Sequence, residues 1–494
     1  MMKRCNCGQA AGIGWKWLVL EAVICCAAPT VLPAAVSPSA AGRQDGVIVD
    51  PAVSSPGARL QQTSELFKKD ASPERVEQLL KANELFNRGV CYFVGRDGER
   101  DLPAAIAAFK AAADLGSVFA RYNLGVIYSE GLDVPVDYAA ARHYYELAAD
   151  SNFADAQYNL GVMCGQGLGG EPDFTAAAGY YQAAAEQGHL RACHNLGVLY
   201  YYGRGVPQSY EKAREYYQIA AENGDPRAQY KLGQLFRYGK GGPADDTAAF
   251  HWYMQSARQN EVCAQVALGQ MCCSDVFGKP DYEQARQWYE LAAKQGCGEG
   301  WYGLGVIYLN GLGVEVDMPQ ARRCFEQAAL LDEPVAQYNL GVMNLTGDGG
   351  DVDRKRGVDL LKLAAESGCA AAQYALGCYY YNLTEGEPDY EQAFRYYRQA
   401  AEQGHANAQY HLGLLFFDGH GVGQDTGKAL ELFEAAAGQS LTQAQFTLGV
   451  IYAKGMCVAP DRDRALGYFN AALGPDRGRE AFEHCLQSPR EAAR

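Results

Sequence analysis

Histidine and cysteine are the side chains of this chain that could bind a metal or act as a nucleophile. The eight histidines are His143, His189, His194, His251, His405, His411, His420 and His484. His189 and His405 each follow a predicted helix end, at matching positions 216 residues apart (405 − 189 = 216). A metal site needs its ligands in one small volume. These two residues are therefore predicted to be exposed loop positions, and no metal site is predicted.

The cysteines show no pattern of a metal site or a regular disulfide framework. There are 16 of them, four within the first 26 residues. The others stand at irregular spacings, and the CxxC spacing common among zinc ligands does not occur. Most are interpreted as small buried hydrophobic residues. The sequence also has no phosphate-binding glycine loop, HExxH motif or nucleophile elbow. It therefore predicts no cofactor, no catalytic residue and no enzyme activity.

The charge balance argues against nucleic acid as a partner. The chain of 494 residues carries a formal net charge of −15. Binding to a phosphate backbone needs clustered Lys and Arg, and no run of that kind is present.

A repeated glycine sets the organisation of the chain. The octapeptide at Ala156–Met163 returns unchanged at Ala336–Met343. Gly161 has counterparts every 36 residues, at Gly89, Gly125, Gly197, Gly233, Gly269, Gly305, Gly341, Gly377, Gly413 and Gly449. A fixed period of this length is typical of a repeat architecture.

The first half of each unit has the pattern of an amphipathic helix. Positions are numbered here from the repeated glycine, the key glycine, as position 0. In the unit 117–152, Ala120, Leu124, Gly125 and Tyr128 fall on one helical face. Glycine within a helix costs about 1 kcal/mol relative to alanine. Its recurrence therefore predicts that a facing helix comes too close for a methyl group.

Glycine also marks where both predicted helices end. The first is predicted to end near Gly131, whose counterparts are Gly95, Gly167, Gly203, Gly239, Gly311, Gly347, Gly419 and Gly455. A second helix then carries Tyr144 and Tyr145 at core positions and ends at a second cap position, which is Asn152 in this unit. Glycine and asparagine tolerate the left-handed backbone of such caps. Each unit is therefore predicted to be a helical hairpin.

Stacked hairpins predict the fold class and the domain organisation. The sequence predicts an all-α protein, an α/α solenoid with a right-handed superhelix of about eleven 36-residue helix-turn-helix repeats. The predicted segments are a signal peptide or N-terminal anchor at 1–41, a linker at 42–60, N-terminal capping helices at 61–80, eleven repeats at 81–476 and a C-terminal capping helix at 477–494.

The N terminus has the features of a secretory signal peptide. Lys3, Arg4 and Lys16 precede the apolar run Trp17–Val36, and small residues follow. The protein is therefore expected to be exported to the periplasm, the exterior or the lumen of the secretory pathway. A cytoplasmic protein and a membrane-anchored protein are the alternatives. A membrane contact is expected only through this segment if it stays uncleaved.

The repeat motif resembles a known family. A-x-Y-x-L-G-x-x-Y-x-x-G followed by A-x-x-Y-Y-x-x-A-A-x-x-G is similar to the Sel-one-like repeat, over about residues 81–476. The resemblance implies a tetratricopeptide-like solenoid that acts as a non-enzymatic adaptor for partner proteins. Secreted cysteine-rich members imply an alternative, small-ligand (β-lactam) binding or hydrolase activity. In those members each repeat carries a regularly spaced cysteine pair, and no such pair recurs here.

The resemblance also implies a binding surface. By analogy with tetratricopeptide solenoids, the face of the first helix opposite to the core lines a concave side. Position −2 on that face includes Asn123, Asn159, Asn195, Lys231, Asn339 and His411, and position +5 includes Tyr202 and Tyr238. Asn123, Asn159 and Asn195 are predicted to form a track that hydrogen-bonds the backbone of an extended peptide. The alternative is that they are ordinary solvated polar residues.

Overall fold

The computed structural model describes residues 73–96, 98–382 and 387–487. These residues form 23 α-helices and no strand, which confirms the predicted all-α helical solenoid. Contacts between Cα atoms divide the described chain into two compact units, one ending at Leu268 and the other beginning at Gly269. The predicted signal peptide, the linker and residues 61–72 lie outside the described residues.

Odd-numbered helices up to α21 are the first helices of the repeats, and even-numbered helices are the second. The first unit contains α1 Pro73–Val94, α2 Leu102–Asp114, α3 Val118–Glu130, α4 Tyr138–Ala149, α5 Ala154–Gln166, α6 Phe174–Glu186, α7 Leu190–Tyr202, α8 Tyr210–Glu222, α9 Pro226–Arg237 and α10 Asp246–Arg258. Helix α11, Val262–Cys272, contains the boundary. Each helix from α1 to α9 packs against the helix that follows it.

The second unit continues the same alternation. It contains α12 Tyr282–Lys294, α13 Gly298–Asn310, α14 Met318–Leu330, α15 Pro334–Thr346, α16 Arg354–Glu366, α17 Ala370–Tyr381, α18 Tyr390–Glu402, α19 Ala406–Asp418, α20 Thr426–Gly438, α21 Thr442–Lys454, α22 Arg462–Leu473 and α23 Pro475–Gln487. Here too, consecutive helices pack against one another.

Helix boundaries differ from those expected at the two ends of the array. Helix α1 is a single helix of 22 residues. It passes through residue 81, where a capping segment was expected to give way to the first repeat. At the other end, α23 begins at Pro475, two residues before the expected start at 477. It packs against both α21 and α22, so this helix covers the last hairpin.

Acidic residues begin the second helices. Asp137 accepts a hydrogen bond from the backbone N–H of Ala140 at 2.9 Å. Side chains at the matching position cap α2, α6, α8, α10, α12, α14, α16, α18, α20 and α22, all of them aspartate except Ser209. A carboxylate here satisfies an otherwise unpaired N–H and interacts favourably with the helix dipole. This position therefore fixes where each second helix starts.

Positive φ angles occur at both predicted cap positions. Gly131 has φ 67°, and the equivalent glycine at Gly203 also has φ 67°. Asn152 at the second cap position has φ 58°, although it is not glycine. Since both helices of the hairpin end in a left-handed residue, the chain reverses sharply twice per repeat. The predicted caps are confirmed.

The key glycine lies against an aromatic ring of the second helix. A Cβ atom on Gly125 would lie 2.5 Å from Cδ1 of Tyr145, and one on Gly161 would lie 2.5 Å from Cε1 of Tyr181. Tyr145 itself is 1% exposed. The predicted close approach of the two helices is therefore confirmed, and the aromatic residue twenty positions after the key glycine causes it.

Glutamine side chains join one repeat to the next. The Nε2 atom of Gln229 in α9 donates to the carbonyl of Ala221 in α8 at 3.0 Å. The Nε2 atom of Gln373 in α17 does the same to Ala365 in α16 at 3.1 Å. The last carbonyls of a helix lack partners within that helix. The glutamine at position −4 therefore caps the preceding second helix and ties neighbouring hairpins together.

Two helical glycines in the same repeat allow a matched test of the glycine contact. Gly161→Ala is expected to destabilise the protein by about 1–3 kcal/mol, because the methyl group would overlap the Tyr181 ring. Gly179 lies within α6, and a Cβ there would meet nothing within 4 Å. Gly179→Ala is therefore expected to stabilise by about 0.5–1 kcal/mol through helix propensity. Thermal unfolding of both variants measures this, and equal effects would contradict the contact.

Candidate functional site

The candidate site is the surface formed by the first helices of neighbouring repeats, called here the first-helix surface. It consists of positions −6, −2, +1 and +5, which share one helical face. In the second unit α15 contacts α17, and α17 contacts α19. In the first unit, the carboxylate of Asp225, the residue before α9, lies 3.8 Å from Nδ1 of His194 in α7. First helices of successive repeats therefore lie side by side within each unit.

The structure separates the predicted binding residues into two groups. Asn123 is 0% exposed and Asn339 is 8% exposed. Asn159, Asn195, Lys231 and His411 are half-buried. By contrast, Tyr202 is 42% exposed and Tyr238 is 46% exposed. The two tyrosines are accessible to a partner, whereas the asparagines do not form an exposed row.

Asparagine at position −2 is engaged with tyrosines of the array. Asn159 lies beside the side chains of Tyr122 and Tyr145, which belong to the preceding repeat. Asn195 lies beside Tyr181 in the same way. Burial raises the pKa of each of these tyrosines, and the asparagine contact opposes that rise. The structure therefore does not show the exposed row of asparagines that the predicted peptide-binding track requires. A first helix packs against its own second helix and against the preceding repeat, so position −2 points into the stack.

Phenylalanine takes the place of the buried tyrosine in one repeat of the second unit. Phe325 occupies the position equivalent to Tyr145, and Asn339 occupies the position equivalent to Asn159. The Nδ2 atom of Asn339 donates to the carbonyl of Val335 in its own helix at 2.8 Å. Asparagine at position −2 is therefore compatible with either ring.

Histidine 411 lies within an aromatic cluster. Its ring stacks on Tyr397 with centroids 5.3 Å apart and also lies beside Tyr374. Burial lowers the pKa of His411 to about 4, and His405 acts in the same direction. Neutral imidazole is therefore the form that fits this cluster. His411 is a packing residue at position −2, as Asn159 is.

His189 and His405 cap helices instead of standing exposed in loops. The Nδ1 atom of His405 accepts the backbone N–H of Ala408 at 3.2 Å, and that of His189 accepts Ala192 at 3.1 Å. Both rings are half-buried, and each stacks on the tyrosine at position −3 of the preceding repeat. The first turn of a helix needs acceptors for its N–H groups, which explains why the expected exposure is not observed.

Three kinds of feature are absent from the described residues 73–96, 98–382 and 387–487. No group of three or more His, Cys, Asp and Glu side chains there is arranged to hold a metal ion. The cysteines in that part form no disulfide with one another. None of its helices is long and apolar enough to cross a membrane.

Basic residues on the first-helix surface were missed in the sequence analysis. Arg191 and Arg227 stand at position −6 of α7 and α9. Both Arg191 and Arg227 are exposed. The signal in the sequence was the recurrence of arginine at position −6 in two successive units. It was overlooked because the net charge of the whole chain is negative.

A family model supports the interpretation of the repeats. The model for the Sel1 repeat matches residues 85–117, 118–153, 154–189, 190–225, 226–261, 264–297, 302–333, 334–369, 370–405, 406–441 and 442–473. This chain belongs to the Sel1 repeat family. The resemblance seen in the sequence is thereby confirmed, with eleven repeats along the chain.

Solved Sel1 repeat structures match this chain over most of their length. A protective antigen of uropathogenic Escherichia coli strains, which displays an SLR fold, is 31% identical, with a TM-score of 0.65; the match covers 87% of this chain and 90% of the antigen. A Sel1 repeat protein from Oxalobacter formigenes is 28% identical, with a TM-score of 0.50; the match covers 65% of this chain and 91% of that one. No curated protein matches this chain.

The contact between asparagine and tyrosine can be tested by a double-mutant cycle. Asn159→Ala is expected to cost about 1–3 kcal/mol, because it leaves the buried hydroxyls of Tyr122 and Tyr145 with fewer partners. Tyr145→Phe is expected to cost less, since Phe325 fills the equivalent position elsewhere in the chain. The combined variant is expected to cost less than the sum of the two changes. Strict additivity in urea unfolding would show that the two side chains are not coupled.

Proposed function

We propose that this Sel1 repeat protein is a non-catalytic scaffold that binds a partner protein through its first-helix surface. Solenoids of stacked hairpins present extended surfaces, and proteins of this architecture use them for binding. Family membership across eleven repeats supports the general role. The choice of surface is argued from the side chains that the first helices expose.

The observation that carries the proposal is a pair of exposed tyrosines at equivalent positions. Tyr202 ends α7, and Tyr238 directly follows α9. They are 42% and 46% exposed. The ring of Tyr202 lies against that of Tyr201 with centroids 4.8 Å apart, so part of its conformational freedom is already restricted. Tyrosine is enriched among the residues that dominate binding energy at protein interfaces.

The alternative of a small-ligand-binding or hydrolytic protein has less support. It depends on cysteine pairs repeated at a fixed position, and the cysteines of this sequence stand at scattered positions. Burial raises the pKa of the Cys193 thiol and that of the Cys378 thiol. Since the thiolate is the reactive form of cysteine, these two residues are better suited to packing than to chemistry.

We also propose that the protein is exported, on the basis of its N-terminal sequence alone. The proposal depends on the charged start, the apolar run Trp17–Val36 and the small residues that follow. N-terminal sequencing of the protein purified from its native cell is expected to begin near residue 28 or residue 40. An intact Met1 in protein from the cytoplasmic fraction would contradict export, and an intact Met1 in the membrane fraction would indicate an anchor.

The binding surface can be tested by crosslinking and pull-down from native cells with the full chain as bait. Tyr202→Ala/Tyr238→Ala is expected to reduce recovery of the partner by about tenfold or more, because truncation of such interface residues commonly costs more than 1 kcal/mol each. Ile219→Ala is the matched control, since Ile219 is 39% exposed but lies on the second helix α8. A partner lost with the control and retained with the tyrosine variant would move the site to the second helices.

A further inference from the structure

Two neighbouring first helices carry cations on the same face as the exposed tyrosines. On α7, Arg191 stands eleven residues before Tyr202, and on α9, Arg227 stands eleven residues before Tyr238. Residues eleven apart in an α-helix are separated by about 20° around the axis. Lys231 lies between them on the same face of α9. Each helix therefore presents a cation at its start and an aromatic ring at its end.

The local charge is opposite in sign to that of the whole protein. Residues 190–240 contain eight Lys and Arg and four Asp and Glu, a net charge of +4 (8 − 4 = 4), in a chain of net charge −15. Three of the four acids, Glu211, Glu215 and Glu222, lie on α8, a second helix. The fourth, Asp225, accepts the backbone N–H of Ala228 at 2.8 Å. Three of the eight cations, Arg191, Arg227 and Lys231, lie on the first-helix surface, and none of the four acids does.

The cations of α9 have few internal partners. Arg227, Lys231 and Arg237 form no ion pair with any carboxylate in the described residues. Lys231 contacts the side-chain oxygen of Gln234 at 3.3 Å, and the negative charge of Glu261 acts on it from the next repeat. Burial lowers the pKa of His194 to about 4; the carboxylate of Asp225, 3.8 Å from its Nδ1 atom, opposes this, whereas the charges of Arg227 and Lys231 act in the same direction as burial. Both cations are therefore near enough to His194 to act on its charge.

Lys231 stands where the two preceding repeats have asparagine. Asn159 and Asn195 each lie beside a buried tyrosine and favour its ionised form, which lowers the pKa of that tyrosine. The equivalent hydroxyl, that of Tyr217, makes no hydrogen bond within the described residues, and Tyr217 is 0% exposed. An unsatisfied buried hydroxyl costs about 1–3 kcal/mol. Departures from a local packing rule are concentrated at functional sites.

We infer that this face, made of Arg191, Tyr202, Arg227, Lys231 and Tyr238, binds an extended acidic segment of a partner protein. The inference rests on the proposed scaffold function and specifies the chemistry of the partner. Arginine pairs with a carboxylate in a bidentate geometry, and the tyrosine rings provide apolar contact for the peptide between its charges. Packed helices lie roughly 8–10 Å apart. An extended chain covers that distance in about three residues, so acidic residues three apart would reach both helices.

Selection from a phage-displayed library of random 12-residue peptides, with the purified full chain as target, tests this inference. Enriched peptides are expected to be acidic, and raising the salt concentration is expected to weaken their binding. Arg191→Glu/Arg227→Glu is expected to weaken binding of these peptides by about tenfold or more, as the loss of charged hydrogen bonds implies. Arg354→Glu/Lys355→Glu is the matched control, because it reverses two exposed charges on α16 in the second unit.

The outcomes separate this inference from the proposed function. Enriched peptides that are neutral or basic, or acidic peptides that bind the reversed variant and the control equally, would overturn the acidic partner and leave the scaffold function standing. Absence of any enriched peptide, together with no partner in the crosslinking experiment, would overturn both. Equal competition by a 20-nucleotide single-stranded DNA would also overturn the inference, in favour of a polyanion site.

Lys231→Asn provides a second test. Because this variant is expected to remain folded, weaker peptide binding could not be attributed to unfolding. It introduces the side chain that accompanies Tyr145 and Tyr181 in the preceding repeats. The unfolding temperature is therefore expected to rise, because the Tyr217 hydroxyl gains a partner, while affinity for the selected acidic peptides is expected to fall. A variant that is more stable and binds these peptides as tightly as the native chain would exclude Lys231 from the site.

Discussion

The contact between the key glycine and the aromatic or aliphatic side chain twenty positions later is the constraint on which each hairpin depends. A Cβ atom on Gly125 would lie 2.5 Å from the ring of Tyr145, and one on Gly341 would lie 2.9 Å from Cγ of Leu361. Without a methyl group, the first helix comes close enough for the large side chain to cover its backbone. The ring at position −3 then packs beside it, as Tyr122 does against Tyr145 with centroids 5.8 Å apart. Glycine lowers helix propensity by about 1 kcal/mol per repeat, and this packing offsets that cost.

A second set of glycines determines how one hairpin meets the next. The loop residue Gly205 has φ 69°, and a Cβ there would overlap the backbone of Phe174 in the preceding repeat. Gly241 makes the same approach to Tyr210. Side chains that reach between repeats, such as Gln229 to the carbonyl of Ala221 at 3.0 Å, add hydrogen bonds to this contact. Carbonyl groups at the end of a second helix accept hydrogen bonds from the next repeat. Each hairpin is therefore stabilised by its neighbours as well as by its own core.

The fold could be predicted from the sequence because these requirements recur at a fixed period. The sequence shows two recurring glycines in most repeats. One permits close packing of the two helices, and the other permits the positive φ angle at a helix end. The exposure of Asn123 and Asn159 could not be predicted in the same way. Helical periodicity places them opposite Ala120 and Leu124, but it shows only one packing partner for each helix. The second partner is the preceding repeat, to which Tyr145 beside Asn159 belongs. The distance from a first helix to the preceding repeat depends on how the hairpins stack. The sequence of a single repeat does not show this distance.

The same reasoning shows where function can be sought in an array of similar repeats. A position that serves packing keeps a residue suited to its neighbour, as Asn195 suits the hydroxyl of Tyr181 and His411 suits the ring of Tyr397. Lys231 breaks this correspondence, since its ammonium makes no ion pair with a described carboxylate and the Tyr217 hydroxyl below it has no described partner. A lysine that is half-buried gives up hydration of its charge. The acidic partner segment inferred above would compensate this charge from outside the repeats.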